Sequence, residues 1–181
     1  MKDKHIFKSA RLGFRNWEKT DLVEFSKLNA DKEVMAHFPK ILTVKESADF
    51  ISRLQKHFLD KGYTYFACQE LETKTFIGFI GLAYQEYQSD FTPAIDIGWR
   101  LKKSAWGKGY ATEGAKRCLD YAFNHLNIQK IVAVCPITNV KSEQVMKKIG
   151  MNRKGEFKHP KLTDYPELES CVWYDIEKER F

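Results

Sequence analysis

The stretch Ile95–Gly114, IDIGWRLKKSAWGKGYATEG, decides how this chain is read. Ala94–Leu101 reads as a strand, and a helix opens near Gly109 and runs to about Leu126. The first backbone N–H groups of a helix have no internal acceptor, and the helix dipole adds partial positive charge there. Gly107 and Gly109 carry no Cβ, so an anion can approach those donors closely. Lys102, Lys103 and Lys108 add positive charge nearby. The segment therefore reads as an anion site suited to phosphate, with a plain tight turn at the two glycines as the competing reading.

Two other phosphate-binding patterns fit poorly. Gly107-x-Gly109-x-x-Thr112 approaches the dinucleotide fingerprint, but it lies more than 100 residues into the chain and its strand follows a hairpin pair. The next strand ends in Cys135-Pro136 rather than in the acid that would hold a ribose hydroxyl. A G-x-x-x-x-G-K-S/T loop is absent.

Working outward, Ala10–Trp17 reads as a strand, and Thr20 as the cap of a helix bearing Leu22, Val23, Phe25 and Leu28. A short helical piece is expected over Glu33–Phe38, ended by Pro39. Thr43-Val-Lys-Glu46 is a capping box opening a helix to about Asp60, with Gly62 as its stop. Strands over Tyr63–Glu70 and Thr75–Tyr84 form a hairpin through LETK. Lys130–Cys135 is a short apolar strand. A helix over Asn139–Ile149 stops at Gly150, and strands over Met151–Phe157 and Cys171–Glu177 follow. This order gives a mixed α/β fold, one sheet with helices on both faces, and a single domain over residues 1–181.

Composition sets outer bounds. The chain of 181 residues is 43% hydrophobic and 30% charged, which is ordinary for a globular protein. A net charge of +6 favours anionic ligands only weakly. Cys68, Cys118, Cys135 and Cys171 lie far apart and read as reduced, mostly buried thiols. The five histidines are scattered as well, so no metal site is expected. The opening MKDKHIFK lacks a signal-peptide stretch, and Phe76–Tyr84 is too short an apolar run to span a bilayer, which points to a cytoplasmic protein without membrane contact.

The run WGKGYATEG resembles motif A of the GNAT superfamily of N-acetyltransferases, whose pattern is Q/R-x-x-G-x-G/A. Trp106 takes the Q/R place, Gly109 the glycine and Ala111 the last small residue. Asn139-Val-Lys-Ser142-Glu-Gln-Val-Met-Lys-Lys148-Ile-Gly150-Met151 is similar to the family's second segment, N-x-x-A/S…K-x-G-F/M. The agreement runs from about Arg11 to Tyr174. Trp106, Ser142 and the late HP…DYP loop are most like the RimJ/RimL branch of ribosomal-protein N-terminal acetyltransferases.

The resemblance implies a mostly antiparallel central sheet of six to seven strands, splayed between the fourth and fifth. It implies acetyl-CoA as cosubstrate and acetyl transfer to a primary amine, on a peptide N-terminus or a small molecule, by direct attack in a ternary complex. Backbone groups of Trp99, Arg100 and Leu101 would pair with the pantetheine arm. The amides of Trp106, Gly107, Lys108, Gly109, Tyr110, Ala111 and Thr112 would take the pyrophosphate. Asn139 would reach the coenzyme or simply cap its helix, with Ser142 one turn further on. Asp96 matches the family's base on the strand before motif A, though an acid satisfied on a sheet face has the same sequence. The usual acid, a Tyr seven residues after the Asn, is Met146 here. That leaves Ser142 as the nearest hydroxyl, acting directly or through water, Tyr110 as a less favoured one, or no dedicated acid at all.

Phe50, Phe58, Phe76 and Phe79 read as packing, whereas Tyr84, Glu86, Tyr87 and the His159–Tyr165 loop would line an acceptor pocket or be plain surface loops. A non-catalytic module that binds CoA, or contacts RNA or the ribosome, is the alternative. It rests on Met146 and on the basic residues Lys147, Lys148, Arg153, Lys154, Lys158 and Lys161. A solvated face explains those cations better, so nucleic acid is not favoured. Either a monomer or a homodimer suits the chain.

Overall fold

The computed structural model describes residues 4–181, so Met1–Asp3, the start of the segment read against a signal peptide, lie outside it. The elements are β1 (Phe7–Lys8), β2 (Leu12–Arg15), α1 (Leu22–Ala30), α2 (Val44–Lys61), β3 (Tyr65–Glu70), β4 (Phe76–Gln85) and β5 (Ala94–Leu101). They continue as α3 (Tyr110–Asn124), β6 (Lys130–Pro136), α4 (Val140–Lys148), β7 (Asn152–Lys158), α5 (Pro166–Glu169) and β8 (Ser170–Glu177). All eight strands form one sheet in the order β1-β2-β3-β4-β5-β6-β8-β7. Neighbours are antiparallel except β5 and β6, which are parallel and meet at a single register pair, Asp96 with Val132. The mixed α/β fold is as read from the sequence, and the splay after the fourth expected strand is as the resemblance implied. The eighth strand is β1, whose two residues are too few to show a period.

Alternation along the strands sorts the side chains. On one face Phe14, Phe66, Ile80, Leu82 and Ile97 pack against Ala115, Cys118, Leu119 and Ala122 of α3. On the other, Ala67 and Phe79 pack against Phe25 and Leu28 of α1 and Ile51 and Leu54 of α2. Burying each Phe or Leu contributes about 1.5–3 kcal/mol. The α3 helix approaches closely because residue 114 is glycine: a Cβ there would lie 2.3 Å from Ile80 Cδ1. All four cysteines are free and buried.

The Thr43 capping box forms as expected, its hydroxyl accepting from the Glu46 amide, and Gly62 ends α2 at φ +78°. Two local expectations fail. Thr20 lies inside a 3-10 turn, and the capping acceptor is Asp21, which takes the Glu18 amide at 2.8 Å while bound to Arg15 through both oxygens at 2.7 Å. Residues 32–37 form successive turns rather than a helix. The Asp31 carboxylate accepts the amides of Glu33 and Val34 there, which competes with helical pairing. No helix among the described residues is long and apolar enough to cross a membrane.

Candidate active site

Beyond Asp96 the two parallel strands part. β5 stays paired with β4 as far as Leu101, and β6 stays paired with β8 as far as Pro136, so a wedge opens between residues 97–101 and 133–136. The chain leaving β5 turns into α3, and the chain leaving β6 turns into α4, so both helix starts stand at the wedge mouth.

On the α3 side, Gly107 and Gly109 adopt φ +74° and +80°, values that side-chain-bearing residues rarely take. Gly109 is the N-cap of α3, and the first helical bond runs from the Glu113 amide to the Gly109 carbonyl. The amides from Gly107 to Thr112 have no acceptor among the described residues. Such a run of unpaired donors at a helix start fits a phosphate. The Trp106 amide does not belong to the run, because it donates to the Lys103 carbonyl at 3.1 Å. Its indole instead donates to the Leu101 carbonyl at 2.9 Å, closing the strand end, and Lys141 Nζ lies 4.5 Å from the ring centroid. Lys102 and Lys103 are tied to Glu24 and Glu33, so their charge is neutralised locally. Glu24 is accordingly held down to about 2, chiefly by the hydrogen bond from Lys102. Lys108 remains at the loop, and Arg11, held by Glu113 and stacked 4.5 Å over Tyr110, joins it from the β1–β2 turn. The Tyr110 hydroxyl is bound to Glu70 and takes no part in the wedge.

On the opposite face of β5 the register places Asp96, Gly98 and Arg100 in a row. Asp96 is half-buried at the apex of the wedge. Tyr65 Oη lies 2.8 Å from both its oxygens, and Gln85 Nε2 donates to Oδ2 at 3.1 Å. Burial pushes its pKa up to about 6, against the pull of the hydrogen bonds from Tyr65, Gln85 and the Ala83 amide. Burial also raises Tyr65, which therefore stays a proton donor to the carboxylate. A carboxylate tuned near neutrality suits proton abstraction. The Lys102 amide donates to the Ile77 carbonyl, so by alternation Arg100 also turns its backbone to β4, while its side chain turns toward α1. Of the three strand-end residues only Trp99 and Leu101 present backbone groups to the wedge, a correction to the expected set.

At the α4 start, Asn139 Oδ1 accepts the Ser142 amide at 3.1 Å, so the capping role is realised. The Ser142 hydroxyl meets the Cys135 thiol, whose pKa burial raises to about 12. Met146 is 1% exposed and packs in the core. Tyr87 and Phe91 fold the β4–β5 loop over β7 and β8: Phe91 stacks on Trp173 at 4.2 Å, and Tyr87 meets His159 at 4.3 Å. Tyr87 and the His159 loop are thus in contact.

A family model described as the acetyltransferase (GNAT) domain matches residues 11–152. The chain belongs to the GNAT acetyltransferase family. It is similar to the protein named Uncharacterized N-acetyltransferase YnaD of Bacillus subtilis (strain 168), with 32% identity over 149 residues, 82% of this chain and 83% of that one. A crystal structure of a GNAT-family acetyltransferase from Bacillus anthracis superposes with a TM-score of 0.78 at 26% identity, covering 95% and 98% of the two chains. The fold also matches spermidine N-acetyltransferase from Vibrio cholerae in complex with CoA and spermine, at TM-score 0.74 and 20% identity, over 94% and 98%. This GNAT protein is therefore an acetyl-CoA-dependent acyltransferase with acetyl-CoA as cosubstrate. Its unpaired amides at 107–112 and open wedge fit that molecule.

Tyr65 and Gln85 are absent from the sequence-derived site. Strand alternation puts Tyr65 on a face but does not show that β3 and β5 flank β4 with their side chains converging. Arg11 was equally invisible, because it comes from a turn about 100 residues upstream.

Proposed function

We propose that residues 1–181 act as one N-acetyltransferase domain that acetylates a primary amine, with Asp96 as the base. The observation that carries this is the Asp96–Tyr65–Gln85 cluster at the apex of the wedge. Bound acetyl-CoA supplies the acetyl thioester: the C–N bond forms as C–S breaks, the amine proton passes to Asp96 directly or through water, and the thiolate leaves.

The chain's own groups divide the remaining work. Amides from Gly107 to Thr112 bind the pyrophosphate, and Trp106 closes the strand end beside them. Trp99 and Leu101 offer backbone groups along the wedge, less the Leu101 carbonyl already taken by Trp106, while the Arg100 backbone is turned to β4. Asn139 fixes the start of α4, and Ser142 is the hydroxyl available to protonate the leaving sulfur. The amine enters from the face that carries Asp96 and Gly98.

Within the family we favour a peptide N-terminus as acceptor, following the RimJ/RimL resemblance. The relatives include spermidine N(1)-acetyltransferase of Escherichia coli (strain K12), 38% identical over 53 residues. A polyamine would want an acidic wall, whereas Arg100 shares a face of β5 with Asp96 and Lys161 lies over Tyr87. The test is mass-spectrometric detection of acetylated product from acetyl-CoA with N-terminal peptides, polyamines and amino acids. Peptide products support the reading; polyamine products alone would move the acceptor class. The packing of Met146 keeps a second reading alive, CoA binding without turnover. Calorimetric binding with no product from any amine would select it.

A further inference from the structure

Arg100 is 8% exposed, yet no carboxylate lies within ion-pair distance of it among the described residues. Nη1 donates to Asn29 Oδ1 at 2.7 Å, while Nε is buried without an acceptor. The guanidinium lies 3.9 Å from the Phe38 ring centroid, with Phe79 at 5.4 Å and Phe50 at 5.8 Å. Burial lowers its pKa to about 10, so it stays charged at neutral pH. An unpaired buried cation is costly to keep, and an aromatic cage offsets only part of that cost.

Two of its contacts, Asn29 and Phe38, bear on one segment. Asn29 ends α1, donates to Ser47 at 3.0 Å and accepts the Leu42 amide at 3.0 Å. Residues 31–42 therefore leave and return at Asn29, with Phe38 midway on Arg100. The segment touches both banks of the wedge. Glu33 binds Lys103 just beyond β5, and His37 Nδ1 lies 3.4 Å from Thr138 Oγ1 beyond β6.

We propose that Arg100 is a positioning residue for the acceptor, holding residues 31–42 through Phe38 and Asn29 as a strap across the wedge on the Asp96 face. This rests on the amine entering from that face. A displacement of about 1 Å at a reacting site can cost on the order of 100-fold in rate, so the strap's register matters for capture of the amine. Coenzyme binding, on the other side of β5, is independent of it.

The experiment compares Arg100→Met, Phe38→Leu and their double variant with Arg15→Met, a control in which a buried arginine far from the wedge loses its Asp21 partner. With whichever amine supports turnover, Arg100→Met raises acceptor KM roughly 10-fold or more and leaves acetyl-CoA KM within about twofold. Phe38→Leu acts in the same direction, and the double variant is no worse than the worse single one, because both remove one contact. Arg15→Met lowers Tm without splitting the two KM values. Hydrogen–deuterium exchange over residues 31–42 reads the strap without turnover and is faster in Arg100→Met and Phe38→Leu but not in Arg15→Met. Unchanged exchange and acceptor KM in Arg100→Met, or equal changes in Arg15→Met, overturn the proposal. Faster exchange with no product from any amine leaves the strap standing and rejects the enzymatic reading instead.

Discussion

Tyr65 Oη stands 2.8 Å from both carboxylate oxygens of Asp96, so one phenol holds the acid at the point where β5 and β6 part. A donor favours the ionised form. Replacing Tyr65 with Phe should therefore raise the Asp96 pKa above about 6 and move the acid limb of the kcat/KM profile to higher pH. The pH profile of Tyr65→Phe checks this, and an unchanged limb would separate Tyr65 from the titrating group.

The same shift has a stability consequence. Asp96 binds its proton more tightly folded than unfolded, since its pKa is about 6 against an ordinary value of 3.8. The stabilising contribution is present below about pH 4 and is lost as pH rises to 6 and beyond. Asp96→Asn should thus raise Tm relative to the parent at pH 7.5, by on the order of 1–3 kcal/mol in stability, and lose that advantage near pH 4. Thermal melts at both values test the sign.

Gly109 sits at φ +80° with an unpaired amide. Gly109→Ala should destabilise the loop by roughly 1–2 kcal/mol and place a methyl group where phosphate approaches. Acetyl-CoA KM is expected to rise about 10-fold or more with acceptor KM little changed. A uniform loss in both would point to a collapsed loop rather than a coenzyme site.

Ser142 is the hydroxyl at the α4 start, beside Cys135. If it protonates the leaving thiolate, Ser142→Ala lowers kcat by roughly 10-fold or more and spares both KM values. An unchanged kcat would show that the thiolate leaves without it.

The basic residues that motivated an RNA reading are largely engaged. Lys147 pairs with Glu143, Arg153 with Glu156, Lys154 with Asp175 and Lys158 with Glu169. Binding of a structured RNA at physiological salt should consequently be weak. Tight binding with a steep salt dependence would revive that reading.

The parts of this site that local chemistry dictates were legible in the sequence. Gly107 and Gly109 mark a helix start, Asn139 a cap, and Thr43 with Glu46 a capping box, because each acts within about four residues of itself. What was illegible depends on distant pairing. The Tyr65–Asp96 bond needs the β3–β4–β5 register, and the role of Arg100 needs α1, α2 and the intervening turn in place. Lys102 and Lys103 look like phosphate ligands in sequence, but Glu24 and Glu33 arrive from α1 and the turn after it to claim them. The turns at 32–37 replaced a helix because one carboxylate, Asp31, captured two amides.

The central claim is that Asp96 takes the proton from the acceptor amine. Its most direct test is the pH dependence of kcat/KM for the parent and Asp96→Asn, followed by thiol release with one productive amine. The account predicts a parent profile that rises through about pH 6, and a variant roughly 100-fold slower at neutral pH that lacks this limb. A variant with the parent's rate and the same limb would contradict it.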